Sequence, residues 1–66
     1  MQINVNGESI AVAENSNVTE LIDQLNLSGS RIAIELNREI LPRSSYETRM
    51  LQDGDTIEIV QAIGGG

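Results

Sequence analysis

Apolar and polar side chains alternate from Met1 to Ala13, which predicts two half-buried strands. Between them Asn6-Gly7 supplies the pair that a two-residue type I′ turn demands, because both central positions of that turn need positive φ. Such a turn sets the register. Val5 faces Glu8, Ile3 faces Ile10 and Met1 faces Val12, so nearly every apolar side chain of the hairpin falls on one side. Gln2, Asn4, Ser9, Ala11 and Ala13 fall on the other. The period then changes: Val18, Leu21, Ile22 and Leu25 stand at i, i+3, i+4 and i+7, one stripe of a helix. Asn17 is placed as its N-cap, and Glu20 can reach back as the second half of a capping box. Gly29 is expected to end this region after a frayed last turn. A helix so short needs burial against a sheet to hold it.

Ile32, Ile34 and Leu36 alternate with Ala33 and Glu35, giving a third strand with one buried face. Asn37-Arg38 reads as a tight turn into a short strand over Glu39 to Leu41, which Pro42 stops because proline cannot donate to a ladder. Ser44 to Leu51 reads as irregular or as a brief helical turn, with Tyr46, Met50 and Leu51 available to cover the open end of the core. After a turn at Asp53-Gly54, Thr56 to Ala62 form the last strand, with Ile57 and Ile59 toward the core and Glu58, Val60 and Ala62 on the other face. The order is β-β-α-β-β-β, an α+β arrangement. A right-handed crossover lays the helix across one face of a mixed sheet of about five strands, with the first and last strands parallel neighbours at its centre. That is a β-grasp domain, expected over residues 1–62, with residues 63–66 as a flexible glycine tail.

Composition narrows what such a domain can do. A chain of 66 residues forms one thin, two-layer domain, too small for a large concave substrate pocket. With Tyr46 its only aromatic residue, the core must be built from Ile, Leu and Val. There is no cysteine, which removes disulfides, thiolate metal sites and a persulfide carried on this chain. Histidine and lysine are also absent, so the usual bases and nucleophiles are missing, and Ser44, Ser45 and Tyr46 have no visible activating partner. No catalytic residue is assigned. Ten acidic residues against four basic ones give a net charge of −6, which repels nucleic acid and anionic membranes and favours a partner with a basic rim. Met1 to Gly7 carry neither a basic segment nor a long apolar run, so a cytoplasmic protein without signal peptide or membrane span is expected. Asp53 and Asp55 flank a glycine as turn residues do, and no metal site is assigned to them. Arg43 is available to meet a partner's carboxylate or to cap a strand end.

The chemistry concentrates in Ile63-Gly64-Gly65-Gly66, directly after the last strand. Consecutive glycines lack side chains to pack and are costly to order, and they can enter a channel too narrow for other residues. At about 3.3 Å per residue, Ala62 to Gly66 can reach on the order of 16 Å from the sheet. A terminal carboxylate is a poor electrophile and must first become a mixed anhydride such as an acyl-adenylate. A phosphate cradle is excluded, since such loops open onto a helix and no helical pattern follows these glycines.

From "INVNGE" through "LNREILPR" to "DGDTIEIVQAIGGG" the whole chain resembles the ThiS family, ubiquitin-like β-grasp sulfur carriers of thiamin thiazole biosynthesis. Asn37-Arg38, Pro42-Arg43, Asp53-Gly54-Asp55 and the terminal glycines fall in that family's order. The resemblance implies that an E1-like adenylyltransferase uses ATP to adenylate the Gly66 carboxylate. A sulfur donor such as a cysteine desulfurase then displaces AMP to leave a thiocarboxylate, and the sulfur passes to thiazole synthase. On this view the chain is a recycled co-substrate that binds no cofactor, and Gly64 and Gly65 give access. Three other readings share the terminus: a molybdopterin-synthase small subunit, a ubiquitin-like protein modifier, and a structural domain with an inert tail. The face expected to hold Ala11, Ala13, Ala33, Val60 and Ala62, with Ile63 beyond, offers small apolar side chains beside the tail and is the candidate docking surface for partners.

Overall fold

The computed structural model describes residues 1–62. Strands β1 (Gln2–Val5) and β2 (Glu8–Ala11) precede helix α1 (Val18–Gln24), and β3 (Ile32–Leu36), β4 (Glu39–Leu41) and β5 (Thr56–Gln61) follow it. They form one mixed sheet in the order β2-β1-β5-β3-β4. β1 and β5 run parallel at its centre, and β1 with β2, β3 with β5 and β3 with β4 are antiparallel. The β-grasp order expected from the sequence is the order found.

The first hairpin has the anticipated register, Ile3 opposite Ile10 and Val5 opposite Glu8. Asn6 and Gly7 sit at φ 51° and 86°, the type I′ geometry. The β3–β4 turn repeats it with Asn37 and Arg38 at φ 51° and 69°. Both turn asparagines also reach the central strand. Asn6 Oδ1 accepts from Ile59 N–H at 2.8 Å, and its Nδ2 donates to Ile59 C=O at 3.2 Å. On the other side Asn37 Oδ1 accepts from Thr56 N–H at 2.9 Å, while Asn37 N–H donates to Thr56 C=O at 2.7 Å. Each amide stands where one more strand residue would pair, so β5 is gripped on both flanks beyond the ends of its neighbours.

Helix α1 begins with the capping box: Glu20 N–H donates to Asn17 Oδ1 at 2.7 Å, and Asn17 N–H donates to Glu20 Oε1 at 2.9 Å. The remaining first-turn donors are met by the loop after β4, with Val18 N–H on Arg49 C=O and Thr19 N–H on Tyr46 C=O, both at 3.1 Å. This docking explains the order of a segment whose sequence has no period. A 3₁₀ turn over Arg43–Ser45 opens it, and Tyr46 and Leu51 are buried over the end of the core. Met50, expected beside them, is instead 44% exposed. It lies in an isolated bridge opposite Asn17, where its side chain is directed outward while the backbone pairs.

The helix does not fray toward Gly29. Asn26 takes φ 60° directly after it, with its N–H on Asp23 C=O and Leu27 N–H on Ile22 C=O, the paired bonds of a Schellman motif. Asparagine serves there because its polar side chain tolerates left-handed backbone, and Gly29 belongs to the next turn. Val18, Leu21 and Ile22 of the helix meet Ile3, Val5, Ile34, Leu36, Ile57 and Ile59 of the sheet in a single aliphatic layer. Among the described residues no helix is long and apolar enough to cross a membrane.

Candidate functional site

β5 carries the chain to the tail. Its odd positions Ile57 and Ile59 are buried under the helix, and its even positions Glu58 and Val60 emerge on the open face of the sheet. On the β3 side pairing runs to the end, Ile32 opposite Gln61, and closes with Ala62 N–H on Arg31 C=O at 2.8 Å. On the β1 side the ladder stops at Val5–Ile57, and the Asn6 amide at Ile59 is the last described contact. The point of departure is therefore held from one flank up to Ala62. Gly64, Gly65 and Gly66, and Ile63 of the expected docking surface, lie outside the described residues.

Around that point Arg31, Ile32, Ala33, Arg43, Val60 and Ala62 line an open depression of about 360 Å³. Arg31 and Arg43 also border a second, of about 290 Å³, on the helix side. Two of the chain's four arginines thus stand where the tail leaves the sheet. Arg43 was singled out from the sequence. Arg31 was missed, since one arginine before a strand makes no pattern, and only its pairing with Ala62 brings it here.

Of the expected docking residues, the structure unites Ala33, Val60 and Ala62. Ala33 lies directly opposite Val60, which is 66% exposed. Ala11 and Ala13 do not join them. Ala11 pairs with Gln2, and Gln2 C=O accepts from Gly54 N–H, so Ala11 is level with the start of β5. Six residues of strand, about 20 Å, separate that level from Val60. Alternation assigned Ala11 the correct face but at the opposite corner of it, and Ala13 lies beyond the end of β2.

Asp55 is buried at 6% exposure as a structural clamp, its Oδ2 accepting from Gln52 N–H at 2.8 Å and its Oδ1 from Asn37 Nδ2 at 3.1 Å. Asp53 accepts from Gln2 N–H at 2.8 Å. These bonds account for both carboxylates of the turn, and among the described residues no three acidic side chains gather as a metal site would need.

The matching family model is that of the ThiS family, over residues 2–66. The chain is 36% identical to the sulfur carrier protein ThiS of Escherichia coli over 66 residues, the full length of both. It is 39% identical over 66 residues to a thiazole synthase of Paramagnetospirillum magneticum, spanning all of this chain but only 20% of that one. Among solved structures, the crystal structure of the thiamine biosynthesis protein ThiS from Geobacter metallireducens superposes with a TM-score of 0.84 at 38% identity, covering both chains completely. Fold, tail and full-length similarity agree: the chain belongs to the ThiS family.

Proposed function

We propose that this chain is a sulfur carrier for the thiazole moiety of thiamin, and that the sulfur rides on Gly66 as a C-terminal thiocarboxylate. The observation that carries the reading is the end-to-end similarity to the Escherichia coli sulfur carrier, terminal glycines included. Chemically, a Gly66 carboxylate oxygen attacks the α-phosphorus of ATP on an E1-like adenylyltransferase and pyrophosphate leaves. A sulfur nucleophile delivered by the donor then attacks the acyl carbon. AMP departs with the former carboxylate oxygen, and sulfur takes its place. Thiazole synthase accepts the sulfur, an oxygen from water or from the sulfur-accepting substrate replaces it on the acyl carbon, and the carboxylate returns for another round.

The protein's own contribution is placement. β5, buried by Ile57 and Ile59 and held by the Asn6 and Asn37 amides, presents Ala62 at a defined position four residues before the reacting carbon. Arg31 and Arg43 flank that position, and Ala33, Val60 and Ala62 give the open depression an apolar lining for the enzymes that receive the tail. The test is the intact mass of the protein after incubation with the activating enzyme, ATP and a sulfur source. Replacement of one oxygen by sulfur, lost on deletion of Gly66, is the expected result; an unchanged mass would sink the reading.

A further inference from the structure

Resting on that reading, we propose that the open sheet face holds a receptor for one cationic side chain of thiazole synthase, formed by Glu35 and Glu58 and framed by Val60 and Ile40. The two glutamates lie directly opposite one another on β3 and β5. Ile40 of β4 lies opposite Glu35 on its other flank. Val60, two residues beyond Glu58, is 66% exposed, and Ile40 is 72% exposed.

Like charges directly opposite on neighbouring strands destabilise a sheet. Among the described residues neither glutamate forms an ion pair, the one pair found joining the N-terminus to Glu14. Neither glutamate accepts a side-chain hydrogen bond there. Protection against edge-to-edge association does not explain the pair, because charges serve that purpose on edge strands and β3 and β5 are interior. A carboxylate pair on facing strand positions, bracketed by two large exposed aliphatic groups, matches a guanidinium or ammonium group arriving within an apolar rim. Arg31 and Arg43 stand at the tail's exit, so the face runs from cationic through apolar to anionic and can be docked in one orientation.

Thiazole synthase is the occupant to which the comparisons point. In the Paramagnetospirillum magneticum relative the region matching this chain shares one polypeptide with a thiazole synthase, which holds the two in proximity.

The test measures binding of the unmodified carrier to thiazole synthase by titration calorimetry at two salt concentrations, which needs no activating enzyme. The E35Q/E58Q double variant is expected to melt at or above the wild-type temperature, to bind about tenfold more weakly at low salt, and to lose most of the salt dependence. Glu35→Arg, which pairs with Glu58 in cis, is expected to stabilise the fold and weaken binding further. Wild-type affinity in the double variant, a fall in its melting temperature, or no binding by the wild type would each overturn the inference. Sulfur loading read by mass still decides the carrier reading separately.

Discussion

Replacing Asn6 tests whether a side-chain amide can stand in for a strand. The amide makes two bonds to the Ile59 backbone, at 2.8 and 3.2 Å, where β1 has already turned away. Each net hydrogen bond contributes about 0.5–1.5 kcal/mol, so the amide accounts for about 1–3 kcal/mol. Asn6 also holds φ 51°, where asparagine is better tolerated than alanine, adding on the order of 1 kcal/mol to the cost of Asn6→Ala. The expected loss is about 3 kcal/mol. Against a total of about 3–10 kcal/mol for a domain of this length, that is a large share. In a domain of this size each kcal/mol moves Tm by about 4–8 °C, so Asn6→Ala is expected to melt roughly 12–24 °C lower.

Asn6→Gly separates the two contributions, because glycine adopts positive φ freely yet has no amide. It should recover the backbone part and keep the rest of the loss. Far-UV circular dichroism is the suitable probe, since Tyr46 is the only aromatic residue. Hydrogen exchange at Ile59 N–H gives the local readout, with faster exchange in both variants. An Asn6→Gly protein that melts within about 4 °C of wild type would refute the idea that this amide substitutes for strand pairing.

Leu21→Ala, at one of the most buried positions between helix and sheet, should cost about 2–5 kcal/mol by cavity formation and leave the domain near its unfolding threshold in a urea titration. Asn17→Ala removes the capping box and the Nδ2 bond to Glu47 C=O at 3.2 Å. It is expected to lower Tm by about 4–8 °C and to raise hydrogen exchange in the loop after β4, which rests on the same helix end. Val60→Asp should leave Tm nearly unchanged while slowing adenylation in a pyrophosphate-release assay, and Ala11→Asp, at the far corner, should slow it little; equal rates for Val60→Asp and wild type would remove this face from docking.

Local rules made much of the fold legible. Asn6-Gly7 specified a turn whose register follows from geometry, and Asn17 with Glu20 specified a helix start, because both devices act within four residues. What stayed hidden acts across the chain. Nothing in the local sequence separates an asparagine that only turns from one that also holds β5, and the Asn6–Ile59 contact spans 53 positions. Asp55 read only as a turn residue, and its burial depends on the β3–β4 turn reaching it through Asn37. Asn26 rather than Gly29 ends the helix because the Schellman bonds form where Leu27 can return to the core, which depends on the sheet beneath.

Ala11 was grouped with Val60 in the sequence for a related reason. Alternation says which side of a strand a residue occupies, but its height along the sheet depends on how strands are offset. For the hairpin that offset is dictated by a two-residue turn, whereas for the parallel pair it is set by everything between Val5 and Thr56. With Asn4 level with Thr56, β1 and β2 lie beside the beginning of β5, and the last turn of pairing before the tail belongs to β3 alone. On the proposed function, a partner that receives the tail would meet β5, β3 and β4. This places Val60, Ala33 and the glutamate row within its reach and leaves Ala11 and Ala13 behind it. The same offset gives Asn6 its task, because a strand that ends early needs a substitute to keep Ile59 in place four residues before the tail begins. A central strand that outruns one neighbour exposes its end to a partner, and the amide keeps that end from fraying.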